Sequence, residues 1–387
     1  MKQLLALLIL LPLSIAAQKL PKPADVLRTM HLTNDYFTRR HPDPAAPTFV
    51  KKERPSNLWT RGVYFEGLMA LQHIDPQQRN ADYITRWAQA HRYTPRNGIT
   101  TRDADDYCCA QTYLELYLDS LDTATPPLFN LHMLRPTLQC MDNLLKVRSI
   151  GDWTWIDAIQ MGLPVLTHLS LVKQLNGEED AARYSEHGFR MYTWTRDTLA
   201  GGLLNKADGL WWRDKDFVPP YREPGGSYCY WSRGNGWVYA ALVRAMDDAL
   251  RSPAVTHFDD YKADFLLMTD ALLKCQRKDG FWNVSLHDDT HFGGPELTGT
   301  ALFIYGMAWG VRQGVLPRDP YLKIIAKTWK AMVKKCVDKD GRLGYVQGTG
   351  KEPKDSQPVT FKSEPDFDDF GLGCFLLAAS EVYLLTK

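Results

Sequence analysis

The chain has 387 residues, of which 44% are hydrophobic, and it carries a formal net charge of +1. The length allows either two ordinary domains or one large helical barrel, and the balanced charge without a long basic run argues against a nucleic-acid partner. The 12 tryptophans and 18 tyrosines serve the core by default, but in an exported protein they also suit stacking against sugar rings.

The N-terminus has the pattern of a signal peptide. Lys2 precedes an apolar run from Leu4 to Ile15, which ends in the small residues Ala16 and Ala17. This run is too short to span a bilayer, and no cysteine stands at its end for a lipid anchor. We therefore expect a leader over residues 1–17 and an exported protein, periplasmic or extracellular, without membrane insertion.

Beyond the leader, apolar residues recur at helical spacing in about twelve segments, and no segment shows a convincing strand pattern. The predicted helices lie near 24–38, 57–73, 78–92, 105–120, 130–146, 154–174, 179–199, 232–250, 258–275, 297–314, 320–337 and 368–385. A helical solenoid would show a sharp repeat, which is absent here. We therefore predict an all-α protein, a single (α/α)6 double-ring barrel over residues 18–387.

Two further features concern the connections and the cysteines. The connection over residues 200–230 is too long for a simple turn, and loops of that length are usually functional. The seven cysteines form no C-x-x-C pair, and a chain of this size folds without disulfides. Most are expected to be buried thiols.

An acid stands at the start of an apolar helix in Trp153–Ala158. Asp157 there is either a first-turn acid favoured by the helix dipole or a general acid whose pKa is raised by its aromatic surroundings. Arg233 and Trp237 lie one helical turn apart, on one face, in the segment Trp231–Trp237. A guanidinium and an indole so placed form a platform for an acidic sugar.

His287 and His291 flank Asp288 and Asp289, and this cluster is a candidate metal site. A solvated loop is the stronger interpretation, since no third ligand helix is evident. The acids Asp103, Asp105 and Asp106 stand at the start of a predicted helix, where capping is the stronger interpretation.

Three segments together resemble a known family. Trp155-Ile156-Asp157, with Met161 and Pro164, is similar to its W-x-D-x-x-x-M-x-x-P segment. The segment 231–237 is similar to its R-G-N-G/A-W motif, and Pro295–Ala301 to its P-E-x-S/T-G-T-A segment. The family is the unsaturated glucuronyl and rhamnogalacturonyl hydrolases of glycoside hydrolase families 88 and 105, and the resemblance runs from about Asn57 to Tyr383.

The resemblance implies the same (α/α)6 barrel, no metal or cofactor, and hydration of the C4=C5 vinyl ether of an unsaturated uronyl residue at a non-reducing end. It implies that Asp157 is the principal acid/base and that an acid at position 105–106 assists, of which Asp106 is preferred. The substrate is then an unsaturated uronic-acid oligosaccharide, and the protein a monomer or weak dimer. The expected sugar-site residues are Trp59, Asp105, Trp155, Trp212, Arg213, Trp231, Arg233, Trp237 and Thr298.

One position departs from the family pattern. Where family 105 often has His in a G-L-x-x-H stretch, this chain has Arg213, which can bind a carboxylate but is a poor proton-transfer group. Details of the uronic acid and its aglycone therefore stay open. The alternatives are a conventional inverting glycosidase acting on saturated sugars and a non-catalytic sugar-binding protein, with a sugar epimerase less favoured because no paired histidines are evident.

Overall fold

A computed structural model describes residues 19–121, 130–147 and 149–387, so the predicted leader over 1–17 lies outside the described residues. The described chain contains thirteen α-helices: α1 Pro23–Arg40, α2 Trp59–Ile74, α3 Gln78–Ala90, α4 Ala104–Tyr107, α5 Ala110–Leu121, α6 Leu131–Lys146, α7 Asp157–Leu175, α8 Ala182–Asp197, α9 Ser232–Arg251, α10 Phe258–Cys275, α11 Leu297–Arg312, α12 Arg318–Cys336 and α13 Phe370–Thr386. Two short antiparallel hairpins join β1 Thr48–Val50 to β2 Lys52–Arg54, and β3 Leu204–Asn205 to β4 Leu210–Trp211.

The helices form two concentric rings. The inner ring is closed by contacts of α2 with α4 and α5, of these with α7, then through α9, α11 and α13 back to α2. Around it, α3, α6, α8, α10 and α12 each pack on the inner helix that precedes them, and α1 packs on α13. This arrangement confirms the predicted (α/α)6 barrel.

Burial explains which segments occupy which ring. In the inner helix α11 every residue except the last is buried, and α7 is buried from Asp157 through Lys173. An outer helix such as α3 buries only one stripe, including Tyr83, Ile84 and Trp87, as expected for a helix with one solvated face.

Close helix contacts in the inner ring depend on glycine. A Cβ on Gly373 would lie 2.2 Å from the carbonyl oxygen of Val63, and one on Gly67 would lie 2.6 Å from the carbonyl oxygen of Gly373. Helices α2 and α13 therefore approach each other almost backbone to backbone.

The predicted helices and the observed ones differ in detail. The predicted helix over 105–120 is interrupted between α4 and α5, and the two hairpins were not anticipated, since their strands have only two or three residues. The described residues contain no helix long and apolar enough to cross a bilayer. All seven cysteines are free thiols, and six of them are buried.

With α4 and α5 counted as one interrupted inner helix, inner and outer helices alternate along the chain, so the six inner helices all run in the same direction. Their N-termini, at Trp59, Ala104, Asp157, Ser232, Leu297 and Phe370, therefore meet at one end of the barrel, here called the mouth. The connection between α8 and α9 also lies at the mouth, because it ends at the N-terminus of α9 and its strand β4 packs on that helix.

Candidate active site

Asp157 is the first residue of α7 and lies buried at the mouth. Its Oδ2 accepts a hydrogen bond of 2.8 Å from Nε of Arg213, while its buried Oδ1 has no hydrogen-bond partner in the described part of the chain. Burial raises the pKa of Asp157, and the charges of Arg213 and Arg233 oppose that rise. The carboxyl group is thus placed to carry a proton, with one oxygen still available.

A second carboxyl group, Asp105 in α4, is close enough to Asp157 for their charges to interact. Burial, together with the negative charges of Asp103 and Asp157, raises the pKa of Asp105 to about 7, against the opposing charges of Arg96 and Arg213. Asp105 is half-buried. The two acids form a coupled pair that can hold a proton near neutral pH.

The preference for Asp106 as the assisting acid is corrected by its contacts. Its buried carboxylate accepts hydrogen bonds from Arg96 Nε at 2.6 Å, from Asn97 Nδ2 at 3.0 and 3.2 Å and from the Thr101 hydroxyl. These donors bind the Asp106 carboxylate to the loop before α4. Of the two adjacent acids, Asp105 is therefore the one whose charge interacts with that of Asp157.

Arg213 lies between two carboxylates just after β4. Its Nη1 donates to Asp214 Oδ2 at 2.7 Å and its Nε donates to Asp157, while its Nη2 makes no hydrogen bond to any residue that the structure describes. The side chain retains 21% exposure. Arg213 therefore presents one free donor edge next to the candidate acid. Asp214 was missed in the sequence, although its position next to Arg213 was a usable signal.

Arg233 was expected to hold the sugar carboxylate, and its geometry does not present it for that role. The side chain is 1% exposed, its Nη1 and Nη2 donate to the carbonyls of Gln347 and Gly348 at 2.7 Å each, and its guanidinium lies 4.5 Å from the Trp231 ring centroid. Both terminal nitrogens of the guanidinium are therefore bonded to backbone carbonyls. Arg233 thus fastens α9 to the 347–348 segment, and its positive charge acts on Asp157 from behind the site.

The remaining predicted sugar-site residues fall into two groups. Three tryptophans at the mouth are only half-buried and can offer ring surface: Trp59, Trp155 and Trp212. The others are in the wall, with Trp231 bonded through Nε1 to Gln347, Trp237 1% exposed, and Thr298 fully buried with its hydroxyl on Glu296.

Glu296 holds the N-terminus of α11 in the wall of the site. It belongs to the Pro295–Ala301 segment but is not among the predicted site residues. Glu296 is the N-cap of α11, and its carboxylate accepts from the backbone amides of Thr298 and Gly299 at 2.9 and 2.8 Å. It also accepts from the hydroxyl of Thr298 at 2.6 Å. Thr298 therefore contributes to capping the helix and not to the sugar surface.

The histidine and aspartate cluster at 287–291 is a folded loop. Asp288 accepts from the backbone amides of Thr290 and His291, and the His287 ring packs edge-on against Tyr230. Across residues 19–121, 130–147 and 149–387, no three His, Cys, Asp or Glu side chains are grouped so that they could hold a metal ion. Whether the protein needs a metal or cofactor stays a prediction.

The chain is similar to several known proteins. The profile of Glycosyl Hydrolase Family 88 matches residues 29–386. An unsaturated 3S-rhamnoglycuronyl hydrolase of Formosa agariphila is 29% identical over 353 residues, which cover 85% of each chain. A structure of a glycosyl hydrolase family 88 protein from Bacteroides vulgatus superposes with a TM-score of 0.80 at 26% identity, covering 94% of this chain and 100% of that one. A structure described as a polysaccharide lyase reaches a TM-score of 0.79 at 26% identity, covering 94% and 97%.

Proposed function

The chain belongs to glycosyl hydrolase family 88, and from that membership we propose that this glycoside hydrolase removes a 4,5-unsaturated uronyl residue from the non-reducing end of lyase-generated oligosaccharides. The name of the Formosa agariphila relative supports an unsaturated glycuronyl residue linked to rhamnose as the substrate class. Export under the leader at 1–17 and a monomeric or weakly dimeric state are part of the same proposal.

The observation that carries the proposal is the group formed by Asp157, Asp105 and Arg213. Asp157 has a raised pKa and an unpartnered Oδ1, Asp105 has a pKa of about 7, and Arg213 has a free Nη2 beside them. A proton donor near its working pH and a carboxylate-binding guanidinium are what hydration of an unsaturated uronate requires.

In the proposed reaction the substrate carboxylate binds the free edge of Arg213. That contact competes with the Arg213–Asp157 hydrogen bond, so the pKa of Asp157 rises further and its protonated form is favoured. Asp157 then gives its proton to C4 while water adds at C5. The water keeps one proton in the new C5 hydroxyl and releases the other to the carboxyl pair. The hemiketal at C5 opens spontaneously to a ketone, and the hemiacetal left at C1 then collapses to an aldehyde and releases the aglycone as an alcohol, which breaks the glycosidic bond.

Half-buried Trp59 and Trp155 are proposed to contact the sugar ring, since aromatic faces complement its apolar C–H surface. Trp231, Trp237 and Thr298 support the site from the wall. Arg233 contributes through its charge and through the position of the 347–348 segment.

A second candidate is β-elimination at a saturated uronate, the chemistry named for one similar structure. The direct Arg213–Asp157 hydrogen bond favours it, because an ionised Asp157 could act as a base. The two reactions are opposite in one respect: elimination creates the conjugated double bond, whereas the proposed hydration consumes it.

The test follows the ultraviolet absorbance of the conjugated double bond during incubation with lyase-generated oligosaccharides and, separately, with intact polysaccharide. We expect absorbance loss with the former and no change with the latter. In ¹⁸O-labelled water the label should enter at C5, and in D₂O deuterium should enter at C4. Absorbance gain on intact polysaccharide would establish elimination, and cleavage of a saturated uronide with label at C1 would establish a conventional inverting glycosidase.

The same assay tests the acid. Asp157→Asn keeps the shape of the side chain but cannot donate the proton, so turnover should fall by at least about 100-fold, with the circular dichroism spectrum unchanged. Activity within a few-fold of wild type would remove Asp157 from this role.

A further inference from the structure

The hairpin of β1 and β2 exposes a large apolar side chain to solvent. Phe49 is 77% exposed, although a phenyl ring normally gains by burial. Its cross-strand neighbour is Glu53, and the next pair is Val50 with Lys52. Val50 packs on the core, so the hairpin is seated on the barrel by one face and presents Phe49 on the other.

The hairpin also concentrates positive charge. Lys51, Lys52 and Arg54 stand within four residues, with Glu53 as the only acid among them. None of these four side chains forms an ion pair with any residue in the described ranges, and Nε of Arg54 is buried without a hydrogen bond. The group therefore has a net charge that no nearby carboxylate in the described chain neutralises.

The hairpin stands at the rim of the mouth. Its Thr48 hydroxyl accepts a hydrogen bond of 3.2 Å from Arg61 in the first turn of α2, and Arg61 is paired at 3.1 Å with Asp369, the N-cap of α13. Residues 55–58 lead from Arg54 directly to Trp59, the first residue of α2 at the mouth. The exposed ring and the free cations are thus fixed beside the opening through which a substrate enters.

We propose that this hairpin is an aglycone-binding arm for the acidic oligosaccharide, an inference that rests on the proposed function. Phe49 offers a flat apolar surface to a sugar ring beyond the cleaved bond, and Lys51, Lys52 and Arg54 attract its carboxylate or sulfate groups. The arm touches no reacting atom. It selects longer and more highly charged substrates, and its charges draw such substrates toward the mouth.

Three substrates separate this role from catalysis: an unsaturated uronide with an aryl aglycone, and the disaccharide and tetrasaccharide released by a lyase from a sulfated rhamnose- and uronate-containing polysaccharide. Phe49→Ala should lower kcat/KM about 5- to 10-fold on the tetrasaccharide and leave the aryl uronide unchanged. Leu175→Ala, which removes another exposed apolar side chain at the far end of α7, should change neither.

The charge contribution is tested with Lys51→Ser/Lys52→Ser. The double variant should lose roughly 5-fold in kcat/KM on the tetrasaccharide at low salt, and added NaCl should erase the difference from wild type because exposed charges are screened. Lys323→Ser/Lys330→Ser on the outer helix α12 removes two exposed lysines and is the matched control. Equal effects on all three substrates, or none on the tetrasaccharide, would overturn the arm, as would a change confined to the oligomeric state in sedimentation velocity.

Failure of the arm and failure of the proposed function can be told apart. If wild type cleaves the substrates and Phe49→Ala cleaves them at the same rates, the arm alone is rejected. If wild type cleaves none of the substrates, calorimetric titration with the tetrasaccharide decides. Binding that Phe49→Ala weakens supports the arm without the hydrolase proposal, while binding unaffected by the variant, or no binding by wild type, rejects the arm.

Discussion

At the scale of single residues, neighbours in the sequence have different roles. Asp105 and Asp106 are adjacent in α4, yet only Asp105 interacts with Asp157, while Asp106 is held by Arg96, Asn97 and Thr101. Successive residues of a helix point about 100° apart, so one carboxylate faces the mouth and the other faces the loop that precedes the helix.

The coupling of Asp105 to Asp157 predicts the pH dependence of the reaction. The carboxyl pair holds the proton that goes to C4 when the pH is below the pKa of the pair, and loses it when the pH is above. The pH profile of kcat/KM should therefore have an alkaline limb, with kcat/KM falling as the pH rises through about 7. Asp105→Asn removes the member of the pair whose pKa is about 7, so the alkaline limb should move to lower pH.

Asp106→Asn is the matched control for that shift. The variant weakens the anchor to Arg96, so we expect a lower melting temperature with the position of the limb retained. A pH–rate profile measured for both variants decides the assignment, which is wrong if the limb moves in Asp106→Asn and stays in Asp105→Asn.

At the scale of elements, the inner ring depends on how closely its helices approach. The crossing of α2 and α13 leaves no room for a side chain at Gly373, because a Cβ there would lie 2.2 Å from the Val63 carbonyl oxygen. The neighbour is backbone of another inner helix and cannot simply rotate away. Glycine is retained at this point despite its low helix propensity.

Gly373→Ala should therefore destabilise the protein by about 1–3 kcal/mol through overpacking, measured by urea unfolding. In the control Gly188→Ala, the added Cβ would meet side-chain atoms of Leu163 and Leu166 at 3.2 Å. These contacts are longer than the one at Gly373 and involve side chains, and alanine improves helix propensity, so the loss of stability should be much smaller. Equal losses in the two variants would contradict the close α2–α13 contact as the cause.

At the scale of the whole molecule, the barrel encloses a titratable group between its inner helices. Glu66 of α2 is 1% exposed and accepts hydrogen bonds from Gln160 Nε2 at 3.0 Å and from the Cys108 thiol at 3.5 Å. Burial raises its pKa to about 7, with Glu115 adding to the rise and the Arg244 charge opposing it. The neutral acid is therefore the form that the folded barrel prefers at acidic pH.

This preference makes stability depend on pH. A carboxyl group whose pKa is raised on folding stabilises the protein below its unfolded pKa, and this contribution is lost as pH rises from about 4.5 through 7. Glu66→Gln removes the titration. Between pH 5 and pH 8 wild type should lose on the order of 3 kcal/mol more unfolding free energy than the variant. Parallel pH profiles in urea unfolding would show that Glu66 does not titrate in this range.

The sequence by itself determined the helices, their ring architecture and the position of Asp157, because apolar periodicity and the three motif segments are local properties of the chain. Only the tertiary structure decided which neighbouring groups serve the site. Arg213 and Arg233 are both arginines close to a motif, but the carbonyls of Gln347 and Gly348 occupy Arg233, whereas Arg213 keeps a free edge beside Asp157. Such choices depend on partners that lie 56 residues away for Arg213 and 114 and 115 residues away for Arg233, and on which way each helix faces. Neither is written in local spacing.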